Sequence, residues 1–244
     1  MFGVQGRTIA SVTLRATMGR KRALLFAIPP LILIVVTLLI KLAHPTDPSW
    51  PAQILGIFGF SVVLPLTALI IGTSVLGAEV DDGSIVQLLA TPVPRSVVIA
   101  SKYVVATVLT MIFVAIPELV AGLIATGGVT KLAVGLFVGA LAGSVMYNAV
   151  FVMLSVLTTR AIAFGLLYVL IWESLLGNLV SGAKLLSIGQ YSLGVANTIA
   201  HDATALNAGL SAGTAITMGV IVTAAALVVA TRGLASFSLK GDAI

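Results

Sequence analysis

The interval Glu79–Lys102, with the sequence EVDDGSIVQLLATPVPRSVVIASK, separates two long apolar stretches of the chain. It contains, in order, acidic residues, a Gly-Ser pair, a Leu-Leu pair, prolines, an arginine and a lysine. A helix needs about 20 apolar residues to cross roughly 30 Å of hydrocarbon, and both flanking stretches are long enough. The interval therefore predicts a polar connection between two membrane-spanning helices.

The composition of the whole chain agrees with a membrane location. Hydrophobic residues make up 59% of the sequence, charged residues only 9%, and the mean hydropathy is +1.18. A soluble domain carries roughly 25% charged residues, because its surface faces water. The chain is therefore predicted to be an all-α integral membrane protein. It contains no cysteine, which excludes disulfides, thiolate metal sites and cysteine nucleophiles.

Six apolar runs are long enough to span a bilayer, and they predict a six-helix transmembrane domain over residues 23–231. The preceding residues 1–22 form a basic lead, and residues 232–244 form a tail. The predicted spans are Ala23–Leu42, Ile54–Ala78, Tyr103–Ala125, Leu132–Leu157, Ala161–Val180 and Gly213–Thr231.

The distribution of basic residues predicts the orientation of the spans. The net charge is +5, but five cations crowd before the first span, a pattern typical of contact with lipid headgroups and not with nucleic acid. Cytoplasmic loops carry an excess of Lys and Arg, so both termini are predicted to be cytoplasmic. The inner set is Arg7, Arg15, Arg20, Lys21, Arg22, Arg95, Lys102, Arg160, Arg232 and Lys240, and the outer set is Lys41, Lys131 and Lys184.

The basic lead has an amphipathic pattern of its own. Apolar residues such as Ile9 and Val12 alternate with Arg7 and Arg15, as in a helix that lies along the inner membrane surface. The lead lacks a convincing A-x-A cleavage site, so it is interpreted as part of the mature protein and not as a signal peptide. A simple lipid anchor and a helix that takes part in coupling both fit this pattern.

The polar interval predicts a short helix with its own start signal. Ser84 and Gln87 have capping-box spacing, and Gly83 permits a sharp turn out of the preceding span. A helix over residues 85–90 would expose apolar side chains such as Leu88, and it is too short to be stable alone. It should therefore dock against another surface. The alternative is a plain capped hairpin without a partner.

The order of residues in this interval resembles the loop between the second and third membrane helices of ABC-2 type transporter permeases. In that family the loop packs on a cytoplasmic ATPase, so the resemblance implies a coupling role here. Ser84 replaces the usual Thr, and Val80 stands where a basic residue is common. The implied coupling residues are Glu79, Asp82, Gly83, Ser84, Leu88, Leu89, Pro92, Arg95 and Lys102.

The resemblance also implies an architecture and a set of partners. The fold would be that of an ABCG-like (type V) exporter with an amphipathic interfacial helix before the first span. The chain would be a non-catalytic permease in a prokaryotic cell membrane, paired with a second permease chain (homodimer or heterodimer) and two ABC ATPase subunits. No G-x-x-x-x-G-K-[ST] phosphate loop occurs, so this chain would bind no cofactor, and ATP and Mg would sit on the ATPase.

Two carboxylates fall inside predicted spans. Glu118 follows Pro117 in the outer half of the third span, and Glu173 follows Trp172 toward the outer side of the fifth. An intramembrane carboxylate is unfavourable unless it faces protein or water, so each is a candidate for the substrate path. The alternative is a carboxylate that lies near the outer headgroups or one that hydrogen-bonds internally as a structural group, and for Glu173 this alternative is favoured.

Small and weakly polar residues mark two further features. Gly135, Gly139 and Gly143 recur every fourth residue, which predicts close approach of another helix. The segment 181–212 is rich in Gly, Ser, Asn and Thr, and it predicts a re-entrant or externally packed extracellular element.

Other classes of function remain open at this point. A self-contained secondary transporter or channel predicts more buried ionisable residues or inverted repeats, and a non-transporting regulatory subunit would have the same pattern of spans. With only His44 and His201 in the chain and no H-E-x-x-H motif, an intramembrane enzyme has almost no support.

Overall fold

The computed structural model describes residues 4–43, 50–81, 93–176, 185–200, 206 and 209–240. All regular secondary structure within these residues is helical. Five helices are long and apolar enough to cross a membrane: Ala23–Ala43, Trp50–Gly77, Arg95–Thr126, Lys131–Leu157 and Ala212–Ala235. The fifth predicted span is helical over residues 161–176, which is short for a crossing, so the count of six spans stays a prediction.

The helices are numbered in chain order. Two long helices begin before the predicted spans, at Trp50 and Arg95, because helical geometry continues through polar residues that end an apolar run. Pro94 is the N-cap residue of the second of these helices. The helices are α1 (Val4–Thr17), α2 (Arg20–Ala43), α3 (50–81), α4 (Arg95–Thr126), α5 (Lys131–Leu157), α6 (161–176), α7 (Ile188–Asn197) and α8 (Ala212–Lys240).

Contacts between residues near the ends of the helices show which helix ends lie together. Gly122 near the end of α4 packs on Ala133 at the start of α5, while Gly233 in α8 packs on Val156 near the end of α5. The bundle therefore has two ends. The end that carries Arg95, Arg160 and Arg232 is called the basic end, and the other is called the opposite end.

The centre of the bundle is formed by α3 and α5. In each of these helices 61% of the most apolar window is buried, compared with 22% in α2 and 17% in α8. One hydrophobic cluster around Phe60 and Tyr147 fills the middle of the bundle, and a second around Ile71 and Val98 fills the basic end. The peripheral helices expose Leu, Ile and Val side chains, as expected where the surrounding solvent is lipid.

The glycine stripe of α5 packs directly on α7. A Cβ atom added at Gly139 would lie 2.7 Å from both Ala196 Cβ and Ser192 O, so only glycine permits this separation. The two helices run antiparallel, with small residues facing small residues. The facing sets are Gly135, Gly139 and Gly143 on α5 and Ser192, Ala196 and Ala200 on and just after α7.

We expect Gly139→Ala to destabilise the protein by about 1–3 kcal/mol, because the added methyl group overpacks the contact between α5 and α7. Gly77→Ala in α3 is the matched control, since a Cβ there meets nothing within 4 Å. Thermal unfolding in detergent measures the difference. Equal midpoints for the two variants would contradict the packing role of the stripe.

Candidate functional site

Three stretches of the described helices are π-helical, with wider turns than an α-helix. They are Leu55–Val63 in α3, Met111–Ala115 in α4 and Val169–Leu176 in α6. π-helical turns are rare and occur frequently at functional sites. Two of the three stretches lie close to the intramembrane carboxylates in the chain. Glu118 follows the α4 stretch by three residues, and Glu173 lies within the α6 stretch.

Glu118 is buried in the bundle without a hydrogen-bond partner among the described residues. It is 1% exposed, and both carboxyl oxygens are unpaired within that part of the chain. Its side chain packs on Gly59 of α3, where an added Cβ would lie 2.8 Å from Oε2 and 2.9 Å from Cδ. A buried polar group without a partner is unfavourable. Glu118 therefore offers unused hydrogen-bonding capacity inside the bundle.

Glu173 is also buried, but its carboxylate is fully engaged at the start of α7. Oε1 accepts hydrogen bonds from the N–H groups of Ile188 (2.9 Å) and Gly189 (3.2 Å) and from the Tyr168 hydroxyl (3.2 Å). Oε2 accepts from the Ser187 hydroxyl at 2.5 Å. The first N–H groups of a helix lack partners within the helix, and negative charge is favoured there. Glu173 therefore holds α7 in place, which favours the structural interpretation of this residue.

The start of α7 also carries a signal that the sequence interpretation missed. Ser187 is the N-cap residue of α7, and its hydroxyl accepts a hydrogen bond from the Gln190 N–H at 3.1 Å. The spacing of Ser187 and Gln190 matches a capping box and marks a helix start within the segment 181–212. The contribution of Tyr168 has no comparable signal, because a spacing of five residues brings its hydroxyl to Glu173 only where the turns of α6 widen into the π-helical stretch.

Both carboxylates lie near one π-helical turn of α3. Gly59 faces Glu118, and the carbonyl oxygen of the next residue, Phe60, lies 3.4 Å from the position of a Cβ on Gly189. That same position is 2.9 Å from Glu173 Oε2. A change in the winding of α3 at this turn would therefore alter the surroundings of both carboxylates.

Glu173 lies deeper in the bundle than its sequence position indicates. The same Gly189 position is 3.3 Å from the Tyr147 hydroxyl. Tyr147 is about 24 Å along α5 from its start at the opposite end, at 1.5 Å per residue. The sequence placed Glu173 toward the outer side, whereas its contacts place it near the middle of the bundle, because α7 folds back between the long helices.

Most of the predicted coupling residues lie outside the described residues. These are Asp82, Gly83, Ser84, Leu88, Leu89 and Pro92, together with the predicted helix over 85–90. Glu79 lies in the last turn of α3, and its side chain is outside what the structure describes.

Arg95 and Lys102, the last two predicted coupling residues, lie on α4. Arg95 is the first residue of the helix and is half-buried. Lys102 is 1% exposed, and its Nζ donates a hydrogen bond of 2.8 Å to the carbonyl oxygen of Val75 in α3. Lys102 therefore ties together the two helices that flank the polar interval, inside the bundle and not on its surface.

The lead helix α1 packs beside the same two helices. Its Thr13 and Thr17 are buried, and Ile9 packs on the hydrophobic cluster at the basic end. Val12 and Leu14 on the other side are 61% and 42% exposed. The helix thus turns one face to the protein at the basic end and exposes a mixed face that includes Arg7 and Arg15 as well as Val12 and Leu14. Its position at a membrane surface stays a prediction.

We expect Glu173→Gln to destabilise the protein, while Glu118→Gln should have little effect on stability or raise it. Gln places an N–H₂ group against donors at the start of α7, and a buried unsatisfied group costs about 1–3 kcal/mol. At Glu118 the described structure offers no partner to lose. Thermal unfolding of the two variants in one detergent tests this difference, and equal losses would contradict the distinct roles of the two carboxylates.

Comparison with known proteins adds one finding to this geometry. The family model described as ABC-2 family transporter protein matches residues 19–180, well over half of the chain. The matched range includes α2 to α6, the polar interval and both intramembrane carboxylates. No curated protein matches the chain significantly.

Proposed function

The chain belongs to the ABC-2 transporter family, and we propose on that premise that it is the permease subunit of an ATP-driven exporter. The observation that carries the proposal is the family match over residues 19–180. The matched range covers both the apolar helices and the polar interval between α3 and α4. The cargo moved outward is hydrophobic or amphipathic.

The energy for transport comes from a separate chain in this proposal. The sequence has no phosphate-binding loop, so ATP and Mg bind to a cytoplasmic ABC ATPase. Two ATPase subunits and a second permease chain complete the transporter. The basic end faces the cytoplasm of a prokaryotic cell, in accord with the excess of cations there.

The contacts of Lys102 support a route for coupling. The polar interval connects α3 to α4, and the Lys102–Val75 hydrogen bond joins these helices just inside the bundle. The lead helix α1 packs against both. A push on the interval by the ATPase would therefore move α3, α4 and α1 together as one unit.

In this proposal the motion reaches the cargo at the π-helical stretch of α3. Leu55–Val63 lies near both carboxylates, and Glu118 has no described hydrogen-bond partner. Rewinding of α3 would shift Gly59 away from Glu118 and open this carboxyl group to a cavity. A cargo with a cationic group would suit that site, while Glu173 keeps α7 fixed beside the path.

Gentle purification of the tagged chain from its native membrane, followed by mass spectrometry, tests the proposed complex. An ATP-binding subunit in a near-equal amount would support it. A lone chain, recovered repeatedly under mild conditions, would contradict it and favour a secondary transporter or a regulatory membrane subunit.

We expect Leu88→Asp to reduce recovery of the ATPase about tenfold, since loss of one buried anchor residue weakens an interface by 1–2 kcal/mol or more. Val129→Asp is the matched control, because Val129 is 82% exposed in the loop at the opposite end. The measurement is the ratio of ATPase to permease after purification. Equal ratios for both variants would reject docking at Leu88.

We expect Glu118→Gln to reduce transport of cationic amphiphiles at least several-fold, because the amide cannot compensate a cargo charge inside a low-dielectric site. The complex with the ATPase should still be recovered. Uptake of a fluorescent cationic amphiphile into inverted vesicles measures the effect, with a neutral amphiphile as the comparison. Normal transport of every identified cargo would show that Glu118 lies outside the path.

A further inference from the structure

Two grooves lie between α8 and its neighbouring helices and share Leu227. The first, of about 460 Å³, lies against α5 and α7, and its walls include Ala142, Met146, Val195, Gly219, Thr223 and Ala224. The second, of about 430 Å³, lies against α4 near the basic end, and its walls include Ser96, Ile99, Ala100, Val228, Thr231 and Arg232. Leu227 lines both grooves.

The two grooves adjoin at Leu227 and together follow α8 around its axis, first against α5 and α7 and then against α4, and they are here called the track. Their α8 residues recur at helical spacing from Ile216 to Arg232, a length of about 24 Å at 1.5 Å per residue. The hydrocarbon of one leaflet is roughly 15 Å thick, half of the bilayer core. The track is therefore long enough to run from one headgroup layer past the middle of the membrane. Gly219 packs closely on Met146, since an added Cβ would lie 2.9 Å from Met146 Sδ.

The chemistry of the track changes along its length. In the groove against α5 and α7, Thr223 is the only polar side chain among the described residues of the lining. At the other end the lining includes Arg232, which is exposed and forms no ion pair within the described part of the chain. Ser96 lies in the first turn of α4, where backbone N–H groups lack helical partners and the helix dipole is positive. The track is thus apolar along most of its length and positive at the basic end.

We propose that this track is a binding site for a phospholipid with an anionic headgroup. One acyl chain lies along α8 between Leu227 and Ile216, and the phosphate lies beside the Arg232 guanidinium. Charge complementarity selects this occupant, because a partner helix or a second copy would have to place an acidic group at Arg232 and an unbroken apolar strip above it. The proposal concerns a different face from that of Glu118 and does not depend on the proposed transport function.

The test is native mass spectrometry of the full chain in detergent, titrated with phosphatidylglycerol and phosphatidylcholine of identical acyl chains. We expect preferential retention of phosphatidylglycerol by the unmodified chain. Arg232→Gln should reduce this preference about fivefold, the contribution of one basic side chain near an anionic surface. Arg160→Gln is the matched control, since Arg160 is also exposed at the basic end but does not line the track. Its preference should equal that of the unmodified chain.

A second pair of variants tests the apolar part of the track. Ala224→Trp should fill the groove and reduce retention of both lipids, whereas Ala225→Trp, one residue away and outside the lining, should not. Equal retention of the two lipids by the unmodified chain would overturn the proposal. Disulfide cross-linking of a Val220→Cys variant between two copies in native membranes would also overturn it, because a second copy would then cover the track.

Discussion

A helix that begins inside a membrane bundle leaves its first N–H groups without water, and each unsatisfied group there is unfavourable. The start of α7 faces this constraint near the middle of the bundle. Glu173 meets it by accepting hydrogen bonds from the N–H groups of Ile188 and Gly189, and Ser187 adds a side-chain cap. Because this end is anchored, α7 can lie along the glycine stripe of α5. Glu173 thus stabilises the start of α7, while the glycine stripe of α5 packs along its length.

The two intramembrane carboxylates show how similar residues acquire different roles. Glu173 has described donors on both oxygens, whereas Glu118 has none among the described residues and packs on Gly59. The difference comes from their neighbours and not from their depth alone. Both lie near one π-helical turn of α3, and such turns occur frequently at functional sites. A bonded carboxylate and an unpartnered one thus lie near the same turn.

The sequence predicted much of the architecture and part of the site. Apolar runs located five spans that the structure contains, because the hydrophobic requirement of a bilayer acts on each segment independently. The glycine stripe pointed to a neighbouring helix, and α7 lies there. The sequence did not reveal that Lys102 is buried against Val75, since a lysine at a helix start usually reaches water or headgroups. It also missed the π-helical stretches, because no residue pattern signals them.

By itself the sequence determined the membrane environment, the helical class and the positions of the long apolar helices, since these follow from local composition and length. The tertiary structure alone decided which carboxylate is bonded and which is not, where α7 enters the bundle, and that Lys102 links α3 to α4. Those outcomes depend on hydrogen bonds between residues far apart in the chain. A donor or acceptor is satisfied or left unpaired only by the groups that packing brings beside it.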